Sequence, residues 1–197
     1  FDITSGGGSE AETVADTSSK GIKASGDLVV GGGTFTINSS DDAIHSNATV
    51  TINNGSFSIS TGDDGVHADN ATVINGGELT VLKSYEGVEG LTVEINGGTL
   101  DLTASDDGIN AAGGNDNSGF GGPRGGDVFG SASSSSYIKI TGGTVYVNAD
   151  GDGVDSNGSL EVSGGSLFVS GPASSGNGAL DFDGNGIISA GTVIAVG

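Results

Sequence analysis

Apolar residues recur along this chain at a fixed interval and in three phases. Ile22, Ile44, Val66, Val88, Ile109, Val154 and Leu180 each follow a Gly or Ala and precede a polar residue, at separations of 22, 22, 22, 21, 45 and 26. Phe35, Phe57, Leu79, Leu100, Val145, Leu167 and Val193 form a second series, and Val30, Ile52, Ile74, Ile95, Ile140, Val162 and Ile188 a third. All three series pass through the same insertions in step. Such a pattern predicts stacked coils of one repeating unit.

Each repeat reads as three short strands. Thr92-Val93-Glu94-Ile95 and Thr99-Leu100-Asp101-Leu102-Thr103 alternate apolar and polar residues, the pattern of a strand with one buried face. Gly pairs such as Gly76-Gly77, Gly97-Gly98 and Gly142-Gly143 recur between the second and third strands, where a tight corner needs positive φ. The spacing predicts an all-β fold, a right-handed parallel β-helix. This three-sided β-solenoid has about seven coils of roughly 22 residues, and at about 4.8 Å per coil it is on the order of 30 Å long. One domain over 1–197 is expected, with a Gly/Ser-rich loop inserted at 112–136 and a smaller insertion between Ser170 and Asn177. The chain begins on Phe1 and ends on a strand, which suggests a longer natural chain or subunits that stack end to end.

Composition narrows the partners. With 5 Lys and Arg against 25 Asp and Glu, the net charge is −20 and the pI about 4.1. Nucleic acid and anionic membrane surfaces are therefore disfavoured, and metal cations are the natural counter-charge. The 197 residues contain no Cys, so neither disulfides nor thiolate ligands are available. No run is apolar enough to insert in a bilayer.

The register sorts the acids into rows. Asp41-Asp42, Asp63-Asp64, Glu86, Asp106-Asp107 and Asp152 precede the first strand of their coils; His45, His67, Glu89, Asn110, Asp155 and Asp181 follow its inward residue. Asp42, Asp64, Glu86, Asp107 and Asp152 are thus expected to form one exposed row. Neighbouring charges 4.8 Å apart repel by roughly 3.5 kcal/mol at an effective dielectric of 20. Hard carboxylate oxygens from adjacent coils suit several Ca²⁺ ions; a solvated acidic surface is the plainer alternative. Lys20 and Lys23 fall in register with Asp42 and His45, where they can neutralise one end of the row. His45 and His67 share a column and read as outward neighbours of the row or as a transition-metal pair. Asp181-Phe182-Asp183-Gly184-Asn185-Gly186 matches the start of an EF-hand loop, but position twelve is Thr192 and no helices flank it. Local Ca²⁺ binding by Asp181 and Asp183 and an Asx-rich turn both fit.

Asp106-Asp107-Gly108-Ile109-Asn110-Ala111, Gly151-Asp152-Gly153-Val154-Asp155-Ser156 and Gly178-Ala179-Leu180-Asp181-Phe182-Asp183-Gly184 resemble motifs of the bacterial calcium-binding parallel β-helix carbohydrate-binding domains, a family similar to family 9 polysaccharide lyases. That resemblance implies a secreted or cell-surface protein with Ca²⁺ held between coils. It also implies binding to polysaccharide, cellulose or acidic pectin-like glycans. The lyases' pattern, Asp-Asp-x-x-Asp, maps onto Asp63-Asp64-x-x-His67 and Asp106-Asp107-x-x-Asn110 with a changed last ligand, and onto Glu86-x-x-Glu89 and Asp152-x-x-Asp155 with the first Asp lost. Tyr146 and Phe168 lie between inward residues, 22 apart, and are expected to point outward as a surface for sugar rings. A non-catalytic carbohydrate-binding protein is the expectation. A calcium-stabilised self-assembling filament subunit and a calcium-dependent lyase using Lys20, Lys23, Lys83, Lys139 or Arg124 as base are the alternatives.

Overall fold

The structure, a computed structural model, describes residues 1–11, 18–112, 135–172 and 176–197. Most of the expected insertion at 112–136, with Arg124, lies outside the described residues.

The expected registers are the observed ones. Ile22 pairs with Ile44, Ile44 with Val66, Val66 with Val88, Val88 with Ile109 and Ile109 with Val154, all in parallel strands. Phe35 pairs with Phe57, and Leu100 with both Leu79 and Val145. Ile52 pairs with Val30 and Ile74, and Ile95 with Ile140. The chain therefore winds into a β-solenoid of about seven turns. The third strands build an eight-stranded sheet, from Asp2–Ser5 at one end to Thr192–Val196 at the other; the first and second strands share a twelve-stranded sheet. Helix is absent among the described residues.

Two coils depart from the three-strand reading. Val66–Ile74 and Val88–Ile95 each run as one continuous strand across the first and second faces. Their pairing slips by a residue between Gly90 and Thr92, so the corner there is a bulge instead of a turn.

The inward columns form a narrow core. Ile44, Val66, Val88, Ile109 and Val154 are fully buried, as are Ile59, Leu100, Leu102, Ile140 and Leu167. Phe35 stacks on Phe57 and on Phe1, each pair 4.7 Å between ring centroids, because identical in-register side chains take the coil spacing. The last coil is open: Ile188 and Val196 remain exposed.

Two sets of glycines set the coil's shape. Gly77 and Gly98 close the corner before the third strand at φ of +95° and +89°. Gly65, Gly87, Gly108 and Gly153 precede the first strand for a different reason. A Cβ on Gly108 would stand 2.1 Å from Val147 Cγ1 and 2.6 Å from Gly153 O. Coils touch backbone to backbone there, immediately beside the acidic row.

Candidate functional site

The row of Asp42, Asp64, Glu86, Asp107 and Asp152 runs along the edge where the third face turns into the first. It is buried, not exposed as the sequence suggested: the five residues range from 0% to 8% accessible. Each acid is sandwiched between coils. Beside the N-terminal end of the row Ser19 N–H donates to Asp41 Oδ2 at 3.1 Å, and Lys83 Nζ donates to Ser9 O at 2.8 Å and Glu10 Oε1 at 2.7 Å.

One oxygen of most row members has a main-chain partner. Asp64 N–H donates to Asp42 Oδ1 at 3.3 Å, Glu86 N–H to Asp64 Oδ1 at 3.1 Å, and Asp152 N–H to Asp107 Oδ1 at 2.6 Å. Gly178 N–H donates to Asp152 Oδ1. The result is a carboxylate-to-amide ladder across coils. In sequence the acids read as charges and as cation ligands, which does not give this ladder; their position two residues before an inward apolar residue was the available signal.

The other oxygen meets a different partner as the row proceeds. At the N-terminal end Asp42 Oδ2 accepts from Lys20 Nζ at 2.5 Å and lies 2.7 Å from His45 Nδ1, while Asp41 Oδ1 accepts from Lys20 at 2.9 Å. Asp64 Oδ2 faces His67 Nδ1 at 3.4 Å. At Glu86 the cations stop. Glu86 Oε1 accepts from Asn110 Nδ2 at 2.9 Å, and Glu86 Oε2 and Asn110 Oδ1 are buried with no hydrogen-bond donor among the described residues. Exchanging the Asn110 amide atoms would set its oxygen against Glu86 Oε1, so this bond fixes the orientation. Two buried acceptor atoms without donors are a cost that a cation relieves.

The parallel column explains the change. Lys23, His45, His67, Glu89, Asn110, Asp155 and Asp181 are in register from coil to coil. Going along it, basic side chains give way to acids and an amide. Asp152, Asp155 and Asp181 bring one oxygen each within 4.8 Å of one another, and Asp41, Asp42 and Asp63 do likewise. Asp63 and Asp106 are half-buried beside the row. Asp183 is exposed and belongs to none of the potential ligand groups among the described residues.

The electrostatics follow the partners. For Asp42 burial works against ionisation, but the His45 contact and the Lys20 charge outweigh it and hold its carboxyl well below the usual range. Burial likewise opposes the Lys20 ammonium, and Asp42 and Asp41 more than restore it. Burial, with the charges of Asp42 and Glu89, pushes the Asp64 carboxyl up despite the His67 bond. Burial and the charges of Glu89 and Asp64 push Glu86 up against the Asn110 bond. Asp152 rises through burial too, with Asp181 and Asp106 adding to it.

The described lysines outside the row are engaged as well. Lys23 Nζ donates to Ser18 Oγ at 3.1 Å, and Lys139 lies 3.4 Å from Glu161.

On the third face Tyr146 and Phe168 point outward as expected and stack, 5.0 Å between centroids and 13° between planes. Tyr146 is 46% exposed. Because the rings lie against each other, they present an apolar ridge of ring edges more than two flat platforms. Phe168 continues the row to the exposed Ile194.

Fold and row together define a parallel β-solenoid with a buried acidic seam, cation-filled at one end by its own side chains. A family model described as "Carbohydrate-binding domain-containing protein" matches residues 1–65 and 48–87, less than half of the chain. The matched stretch includes Lys20, both histidines and the row as far as Glu86. No curated protein and no solved structure gives a match.

Proposed function

We propose that this protein binds polysaccharide outside the cell and holds Ca²⁺ in the C-terminal part of its acidic row, without catalysing a reaction itself. The family match supports carbohydrate binding. The observation that carries the calcium reading is the pair of donorless buried oxygens, Glu86 Oε2 and Asn110 Oδ1. Glu86, Asp107 and Asn110 would hold one ion between adjacent coils, while Glu89 is engaged by His67. Asp152, Asp155 and Asp181 would hold another. All are hard oxygen ligands of the kind Ca²⁺ takes in a flexible shell of six to eight, whereas Mg²⁺ demands a tighter octahedron. Extracellular modules work with calcium affinities of roughly 10⁻⁴–10⁻³ M.

An ion near Asp181, at the exposed end of the row, has coordination positions open to solvent. A uronate carboxylate from an acidic glycan can complete them, which makes pectin-like polymers the preferred ligand. The Tyr146–Phe168 ridge on the other sheet offers a separate apolar contact for neutral chains such as cellulose.

Calorimetric titration of metal-stripped protein with Ca²⁺, paired with pull-down on polygalacturonate and on crystalline cellulose, tests both parts. Asp155→Asn is expected to lower calcium affinity at least tenfold and to abolish chelator-sensitive retention on polygalacturonate. Tyr146→Ala combined with Phe168→Ala is expected to remove cellulose retention and leave calcium binding intact. Absence of a calcium heat in the wild-type protein overturns the metal reading; retention on neither polymer overturns the glycan reading.

A further inference from the structure

His45 and His67 are the two histidines of the chain, and both are buried in the row, at 4% and 0% accessible. Their rings stack 4.8 Å apart with 6° between planes, because they occupy the same register position of adjacent coils. Each presents Nδ1 to carboxylates. His45 Nδ1 lies 2.7 Å from Asp42 Oδ2; His67 Nδ1 lies 3.4 Å from Asp64 Oδ2 and contacts Glu89 Oε2. Asp42, His45 and His67 bring one ligand atom each within 4.8 Å of one another, and so do Asp64, His67 and Glu89. His67 belongs to both groups, so two imidazole nitrogens and three carboxylates converge on one stretch of the row.

A further contact concerns orientation. His67 Nε2 lies 3.2 Å from Asp69 Oδ1. A proton on Nε2 directed to Asp69 leaves the Nδ1 lone pair facing the row. Metal-binding histidines are oriented in this way, the outer nitrogen donating to a carboxylate.

We propose that the His45–His67 stretch is a site for a divalent first-row transition ion of the Zn²⁺, Ni²⁺ or Cu²⁺ class, with Asp69 positioning His67. Imidazole nitrogen suits these ions, while Ca²⁺ takes oxygen. Two positions that carry oxygen ligands further along the column carry nitrogen here. An ion bound there takes the place of the direct imidazole–carboxylate contacts. The proposal does not rest on the Ca²⁺ reading, since its ligands lie on the second, third and fourth coils and its donor set is different.

The test uses tag-free protein in excess Ca²⁺, titrated with Zn²⁺ by calorimetry and with Cu²⁺ by electron paramagnetic resonance. One Zn²⁺ per chain is expected, undiminished by Ca²⁺. The Cu²⁺ signal is expected to show the remote-nitrogen modulation of equatorial imidazole, which with two histidines and no cysteine can come only from this stretch. His67→Gln should weaken Zn²⁺ binding at least a hundredfold and Asp69→Asn by about 10–100-fold, the range for an outer-shell partner. Circular dichroism checks that both variants fold. A wild-type Cu²⁺ spectrum without imidazole modulation overturns the proposal whatever the variants do. So does Zn²⁺ that excess Ca²⁺ displaces.

Discussion

Asp42 and Glu86 hold the same position two coils apart, yet their surroundings are opposite. Asp42 has Lys20 and His45; Glu86 has an amide donor on one oxygen and none on the other. The difference arises from single residues on the same coil and on the coils beside it. Replacing Lys20 with Met leaves Asp41 and Asp42 as buried anions without their ammonium, and removing one member of a buried pair costs about 3–5 kcal/mol. Lys20→Met is therefore expected to lower the denaturant midpoint strongly in chelator. Millimolar Ca²⁺ should recover much of the loss, because Asp41, Asp42 and Asp63 then form a vacated trio of carboxylates. A midpoint equal to that of the wild type in chelator would show that the pair contributes nothing. The identity of these acids as a row was legible from spacing, and so was Lys20 as the end-of-row cation. Their burial was not. It depends on neighbouring coils, whose backbone amides, some 22 residues away in sequence, meet the carboxylates.

At the scale of the strand and corner, two different constraints select glycine. The corner position needs positive φ, as at Gly98; the position before the first strand needs empty space, as at Gly108. Gly108→Ala brings a methyl group against Val147 and the carbonyl of Gly153, which belongs to the next coil. Overpacking of this kind costs about 1–3 kcal/mol. Thermal unfolding should show the loss, and calcium affinity should fall with it, since the shifted backbone carries Asp107 and Asn110. A Gly26→Ala control, where a Cβ meets nothing within 4 Å, is expected to unfold like the wild type. Most strands were readable because period-two alternation and a constant repeat agree, as in Thr99-Leu100-Asp101-Leu102. The fusion of two strands in Val66–Ile74 was not, because nothing in Ala68-Asp69-Asn70 distinguishes a bulge from a turn.

For the molecule as a whole, the charge gradient along the row gives a definite pH response. Asp64, Glu86 and Asp152 keep their protons to higher pH when folded than when unfolded. Between their unfolded value of about 4 and their raised folded values, the native state binds more protons, so stability falls as pH rises. His67 acts in the same direction. Burial opposes its charge, yet Asp64 and Glu89 hold the imidazolium well above the ordinary value, so the stability it adds is complete below about pH 6.5 and declines above it. Asp42 is the opposite case, its contribution present above about pH 4 and lost on further acidification. Metal-stripped protein is therefore expected to melt at a higher temperature at pH 5 than at pH 8. Saturating Ca²⁺ should raise the melting temperature more at pH 8, where the carboxylates are ionised. A metal-stripped protein that melts higher at pH 8 would contradict this picture of the row.

The amide ladder also has a mechanical side. Asp42, Asp64, Asp107 and Asp152 each clamp the backbone of the coil that follows, while Glu86 holds the next coil through the Asn110 side chain. Among the described residues Thr192–Val196 pairs on one side only, so tension applied there meets one inter-strand interface. The winding then comes off turn by turn, and each ordinary turn of about 22 residues pays out roughly 75 Å of chain. The turn that contains the long insertion pays out about twice that length. A glycan held at Asp181 would pull on the turn that carries it, and an ion shared by Asp152, Asp155 and Asp181 would fasten that turn to the one before it.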